Sequence, residues 1–332
     1  MKNLITDVPG LSVGNAADAR LASGVTALIF ETPATASIAV LGGAPGVRDG
    51  ALLEPEMTVD SVDALVLSGG SAFGLDAMGG VQSVLRAQGK GFRIGDVTVP
   101  IVPGAICFDL LNGGDKDWGE RPPYWDLGRT AALAARDEFE LGTAGAGFGA
   151  TTATLKGGLG STSAVTTGGF IVGALVAANG IGQATIGSGP HFWAAPYERG
   201  NEFGGLGWPS PLPADTLAMR VKGDLPANTT IAIVATDAEL TKAQAKRLAV
   251  MADDGMARAL RPAHAALDGD LVFAAATARA SRPPAIRDLT EIGLCAADCL
   301  ARAIARAIYE ATALAFADAL PAWRDAFAAK RR

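Results

Sequence analysis

The stretch Ala227-Asn228-Thr229-Thr230-Ile231-Ala232-Ile233-Val234-Ala235-Thr236-Asp237 decides how this chain is read. From Thr230 to Thr236 it is uncharged, proline-free and built of small or β-branched residues, the signature of a buried strand. The preceding GDLPAN carries turn residues: Gly223, Asp224, Pro226 and Asn228. The Thr229 hydroxyl therefore stands at the mouth of a strand expected deep in the fold. Two readings are open. Thr229 is a β-favouring residue that opens a core strand, or it is a nucleophile. In the second reading the Asn228–Thr229 bond is cut, and the new α-amine, with a pKa of about 7.7–8.0, serves as the hydroxyl's own base. Such a site needs no histidine.

Composition narrows the alternatives. The 332 residues are 49% hydrophobic and 19% charged with 42 glycines, which describes a large, tightly turned core. A net charge of -6 and no basic cluster beyond the terminal KRR argue against nucleic-acid binding. The N-terminus lacks the apolar core of a signal peptide. The apolar run GGFIVGALVAANGIG is too short and too glycine-rich to span a membrane, so a cytoplasmic protein is expected. His191 and His264 are the only histidines, and no HExxH or CxxC occurs, so neither a metal nor another cofactor is expected. Cys295 and Cys299 share a helix face and read, with Cys107, as core cysteines.

Along the chain, strands are expected at 25–30 and 36–43, with ETPAT as the turn between them. DALVLS runs into the glycine turn GGSAFG and a helix over 74–87. That turn has neither dinucleotide, P-loop nor nucleophile-elbow spacing, and close packing of helix on sheet explains it, with Ser68 and Ser71 as candidate pocket residues. A proline-broken strand is expected within 97–106 and a helix over 129–139. The aromatic loop 112–128 and the segment 191–208 are candidate pocket walls. Lys156 is the one charged residue of the glycine-rich stretch 142–165, either a solvated turn residue or a fixed cation in a cleft lined by backbone amides. Asn179 closes the strand 168–180, as a turn former or as an N–H donor to an oxyanion. A helix over 240–260 capped by Thr241, the turn LDGD with a strand after it, and a helix over 288–316 complete a layered α/β domain.

Taken together, the N-T-T strand, Lys156 in LKGGLGS, Asn179 in VAANGIG and D-G-D at 268–270 resemble the L-aminopeptidase/D-esterase family of self-cleaving N-terminal-nucleophile hydrolases. That family includes β-peptidyl aminopeptidases and nylon-oligomer endohydrolases. The resemblance runs from ITDVPGLSVGNA through LVLSGGSAFGLDAMGGV and GAGFGATTATLKGGLGS to HAALDGDLVFAAAT. It implies a single domain folded as a four-layer α-β-β-α sandwich and cut into fragments 1–228 and 229–332. It implies Thr229 as nucleophile, Asp268 and Asp270 orienting its amine and hydroxyl, Lys156 as an active-site lysine and Asn179 stabilising the oxyanion. Small peptides, aminoacyl amides, amino-acid esters or 6-aminohexanoate oligomers would be substrates, and a tetramer of cleaved units the assembly. Thr229 with D-G-D is closer to the nylon-oligomer branch, because aminopeptidase members commonly carry serine as nucleophile and a serine and a glutamate in place of the two aspartates. Cys107 departs from that branch, where a tyrosine takes its place. An ornithine acetyltransferase-like acyltransferase shares the threonine chemistry, and a relative that has lost processing shares the fold.

Overall fold

The computed structural model describes residues 1–223 and 228–327. The turn residues Asp224 and Pro226, Ala227 and the terminal KRR lie outside the described residues. Strands β1 (Leu11–Asp18), β2 (Ser23–Val40), β3 (Val47–Arg48) and β4 (Ser61–Ser68) come first. Helix α1 (Ala77–Ala87), the hairpin β5 (Phe92–Ile94) and β6 (Val97–Val99), β7 (Gly104–Ile106) and α2 (Tyr124–Leu133) follow. The second half holds β8 (Gly158–Val165), β9 (Ile171–Ala178), β10 (Ile231–Thr236), α3 (Lys242–Ala259), β11 (Leu271–Ala276), α4 (Ile286–Glu310) and α5 (Trp323–Phe327).

One hydrogen-bonded path runs β3-β7-β4-β2-β11-β10-β9-β8, with β1 alongside β2. It folds over itself into two packed halves because side chains alternate along each strand. Ile231, Ile233, Leu271 and Phe273 meet Leu28, Phe30, Leu65 and Leu67 in a central core. Ala232, Val234, Val272 and Ala274 face the other way, onto α3 and α4. Ala27, Ile29, Ala64 and Val66 face α1 and α2. The layers are helix, sheet, sheet, helix, as expected, in a single domain.

Several elements differ from the expectations. The strands at 25–30 and 36–43 are one strand, β2, whose register shifts between Ile29 and Ala34. Glu31, Thr32 and Pro33 look turn-like in sequence, yet they are exposed at that irregularity, where a proline breaks no ladder bond. The helix expected at 129–139 is α2, which starts at Tyr124 and stops at Leu133. It stops because Arg136 leaves the helix to exchange two backbone hydrogen bonds with Val13 of β1. It crosses α1 closely at Gly128, where an added Cβ would stand 2.1 Å from the Ala77 carbonyl. The stretch 97–106 divides between two sheets as β6 and β7. The last long helix ends at Glu310 rather than 316, and Thr312 instead bonds Thr143. Thr241 caps α3 as expected: its hydroxyl accepts from the Gln244 N–H, and the Gln244 side chain accepts from the Thr241 N–H. No helix among the described residues is long and apolar enough to cross a membrane.

Arg302 of α4 ties distant segments together. Its guanidinium, 2% exposed, meets Glu202 through Nε at 2.6 Å and Nη2 at 2.9 Å. It also donates to Asn3 Oδ1 and to the Ser163 carbonyl. Removing one partner of a buried pair strands the other's charge. Arg302→Ala should therefore cost roughly 3–5 kcal/mol in a urea unfolding curve, far more than loss of the exposed Arg20–Asp115 pair.

Candidate active site

Strands β10 and β11 run parallel, with Ile231 beside Leu271. Two residues back in that register, Thr229 lies beside Gly269, and Asn228 bridges to Asp268. This pairing gathers the expected residues at one end of two central strands. Thr229 and Asn228 are buried, as are Asp268, Asp270 and Asn179.

Backbone bonds fix the frame around Thr229. The Thr229 N–H donates to the Asn179 carbonyl at 3.1 Å. The Asn228 carbonyl accepts from the Gly269 N–H at 3.0 Å. The Thr229 hydroxyl also lies against that carbonyl as a donor. Gly269 has to be small, because an added Cβ would sit 2.8 Å from Thr229 Oγ1. The Asn228 side chain is buried with both amide atoms lacking a partner among the described residues.

The two aspartates differ. Asp270 Oδ1 accepts from the Thr230 N–H at 2.7 Å, and Oδ2 accepts from the His264 N–H at 2.9 Å. Asp268 Oδ2 accepts from the Ala265 N–H at 2.9 Å, while its Oδ1 is buried and unpartnered among the described residues. Burial first, then the charge of Asp270, push the Asp268 carboxyl up to about 6. The Ala265 and Ile181 N–H groups pull the other way, and the Asp268 carboxyl keeps a proton affinity near neutrality.

Asn179 joins the Thr229 backbone to a second region. Its Nδ2 donates to the Phe108 carbonyl at 2.9 Å, which uses one of its two N–H bonds. Its Oδ1 accepts from the Thr151 N–H at 3.0 Å and from Lys222 Nζ at 3.1 Å, and these two donors set the amide's orientation.

Lys156 is buried, not a solvated turn residue, and its surroundings are backbone carbonyl oxygens. Nζ donates to Gly147, Ala150 and Gly157 at 3.0, 2.9 and 3.0 Å, which uses all three N–H bonds. Burial lowers its pKa to about 7. No hydrogen bond joins it to Thr229 among the described residues. It reaches Asn179 through Thr151, with which it forms a β-bridge. Cys107 is buried, with its thiol pushed up by burial and its Sγ 3.9 Å from the Ala146 carbonyl. The glycine turn after β4 holds an internal carboxylate: the Gly70 N–H donates to Asp109 Oδ1 at 2.7 Å, and Ser23 donates to Oδ2 at 2.6 Å. Ser68 is turned inward to the Gly69 carbonyl.

Three residues at the site carry no motif in the sequence. Lys222 is one. The others are His264 and Asp253. His264 Nε2 lies 2.9 Å from Asp253 Oδ2 of α3, and Nδ1 lies 3.1 Å from Asp270 Oδ2. Hydrogen bonding to Asp253 and then to Asp270 raises the imidazole to about 10, so it is a cation braced between two carboxylates. His264 also has φ +56°, a left-handed backbone that aims its N–H at Asp270. The only signal available was its place six residues before Asp270.

The model of peptidase family S58 matches residues 3–320. An uncharacterised aminopeptidase of Mycobacterium leprae is 40% identical over 340 residues, 94% of this chain and 92% of its own length. One from Mycobacterium tuberculosis is 39% identical over 350 residues, 98% of each. A 6-aminohexanoate-oligomer endohydrolase of Kocuria is 26% identical, covering 82% of this chain and 74% of its own. Among solved structures, a Burkholderia β-aminopeptidase superposes with a TM-score of 0.74 at 20% identity. The L-aminopeptidase D-Ala-esterase/amidase of Ochrobactrum anthropi, described as a variant of the Ntn-hydrolase fold, gives 0.73 at 22%. Each spans 100% of this chain and 95% of its own, and they show the fold.

The raised His264 pKa has a sign. Its stabilisation is complete below the ordinary value of 6.5 and is lost as pH rises through about 10. Between those limits the wild-type urea midpoint should fall faster with pH than that of His264→Gln. Parallel curves would remove the imidazolium from the account.

Proposed function

The chain belongs to peptidase family S58, whose members hydrolyse peptide or amide bonds, and we propose that its nucleophile is Thr229, released by the chain cutting its own Asn228–Thr229 bond. One observation carries this reading. The Thr229 hydroxyl lies against the Asn228 carbonyl, and that oxygen already accepts from the Gly269 N–H.

In the proposed self-cleavage, Oγ1 attacks the Asn228 carbonyl carbon. Asp268, with its unpaired Oδ1, takes the hydroxyl proton. The developing oxyanion stays on the Gly269 N–H. The C–N bond breaks, its nitrogen takes up the proton, and an ester joins Asn228 to Oγ1. Water hydrolyses that ester, leaving a carboxylate on Asn228 and an α-amine on Thr229. The fragments 1–228 and 229–332 remain one folded unit.

The same hydroxyl then acts on substrate, with the α-amine as its base. The amine keeps the Asn179 carbonyl as its acceptor, and Asp270 holds the next residue through the Thr230 N–H. Attack on an amide carbonyl gives an acyl-enzyme, which water resolves. The second Asn179 N–H is the proposed oxyanion donor, and Lys156 holds the surrounding carbonyl loops in place. Small peptides and aminoacyl amides are the proposed substrates, with 6-aminohexanoate oligomers as a further class. The relatives at 39–40% identity, which are named aminopeptidases, favour the first class.

Denaturing intact-mass spectrometry tests the cleavage. Wild type should give two species, the smaller beginning at Thr229. Thr229→Ala should stay a single 33.6 kDa chain without amide hydrolysis. Hydrolysis by Thr229→Ala at the wild-type rate would sink the assignment. Because Asp268 acts deprotonated, cleavage should speed up as pH rises through about 6, and Asp268→Asn should abolish that rise.

A further inference from the structure

A cavity of about 610 Å³ is lined in part by Thr151 and Lys222, both of which donate to the Asn179 side chain. Phe108, Leu111, Phe316 and Leu320 supply apolar walls, and Thr151 and Lys222 supply polar ones. That volume and mixture suit a small organic ligand. Lys222 is the cation among the lining residues. Its Nζ donates to Asn179 Oδ1 at 3.1 Å and to the Thr151 carbonyl at 3.3 Å, both neutral acceptors. One of its three N–H bonds is left over. No carboxylate lies within ion-pair distance of it among the described residues, unlike Lys246, Arg258 and Arg302.

The two acidic residues of the lining do not supply the missing partner. Asp109 spends its oxygens on the Ser23 hydroxyl and the Gly70 N–H, and burial raises its pKa. Asp318 is exposed. Asp109 and Asp268 act on this part-buried ammonium through space, but its hydrogen bonds go to neutral oxygens, so an anion at its remaining N–H would be favourable. Burial lowers the Lys222 pKa to about 8.

We propose that Lys222 is a substrate-carboxylate site, and that the chain prefers short amides bearing a free carboxylate near the scissile bond. The inference rests on the amide-hydrolase reading above. Asn179 supplies the geometry: its backbone carbonyl holds Thr229, and its side chain holds Lys222. A substrate whose carbonyl sits at Thr229 can therefore place a carboxylate in the cavity only a short way along. A charge-assisted hydrogen bond forms there, one that a carboxamide would make only in its weaker neutral form.

The test uses wild-type protein shown by mass to be fully processed. Pairs of short amides are compared as free acid and as carboxamide: alanyl-alanine, β-alanyl-alanine and the linear 6-aminohexanoate dimer. Wild type should favour the acid by about tenfold or more in kcat/KM, the scale of one hydrogen bond to a charged group. That ratio should collapse towards one in Lys222→Met and survive in Lys222→Arg. Equal kcat/KM for acid and carboxamide in wild type, or a ratio that persists in Lys222→Met, would overturn the carboxylate site alone. Hydrolysis of neither member of any pair would overturn the amide-hydrolase reading itself. If Lys222→Met fails to process, the wild-type ratio still decides.

Discussion

The parallel pairing of β10 with β11 is the constraint on which the rest depends. It sets residues 228–230 against 268–270 at a distance fixed by main-chain geometry. The Gly269 N–H reaches the Asn228 carbonyl through main chain alone, and the Asp270 carboxylate reaches the Thr230 N–H from the same register. Parallel strands cannot be joined by a tight turn, so a crossover must intervene, and α3 is that crossover. The helix returns the chain through the loop carrying His264, and Asp253 of α3 braces that histidine from behind. One topological choice thus supplies the frame, the acidic pair and the brace.

A second theme is the way charge is kept inside a mostly apolar body. Lys156 is enclosed by carbonyl oxygens, Arg302 by a carboxylate and amide oxygens, and His264 by two carboxylates. Each has oxygens close to its charge, so the desolvation cost is largely offset. Asp268 is less fully met. It keeps an oxygen without a hydrogen-bond partner among the described residues, and the proposed self-cleavage would use that oxygen to receive a proton. An unmet acceptor is a cost in a buried core, and in the proposed reaction it would become reactive capacity.

How much of this could be read in the sequence differs residue by residue. Thr229 was legible because a polar residue opening an uncharged run is visible without a structure. Asp268 and Asp270 were visible as a turn before a strand, and Lys156 as a lone charge among glycines. Their roles came from the resemblance, since composition assigns none. The layered architecture followed from the order of elements, yet β2 reads as two strands because Glu31–Pro33 looks locally like a turn. His264, Asp253 and Lys222 were hidden for another reason. Each acquires meaning only when remote segments close on one another: α3 on the 264 loop, and residue 222 on Asn179 and Thr151. Periodicity and spacing do not encode such meetings.

β10 follows the proposed cut and β9 precedes it, and the two are bonded from Ile231 to Thr236 in the centre of the sheet. On the other side, β11 is bonded to β2. After the cut, the two pieces would be interleaved strand by strand, so neither could leave without dismantling the core. The continuous chain is then a mould, needed to bring the strands together and dispensable afterwards. The same arrangement acts as a licence. On the proposed self-cleavage, a chain that has not paired β10 with β11 would lack the carbonyl geometry needed to unmask its own threonine, so an unfolded copy of this peptidase would be born harmless to the proteins around it.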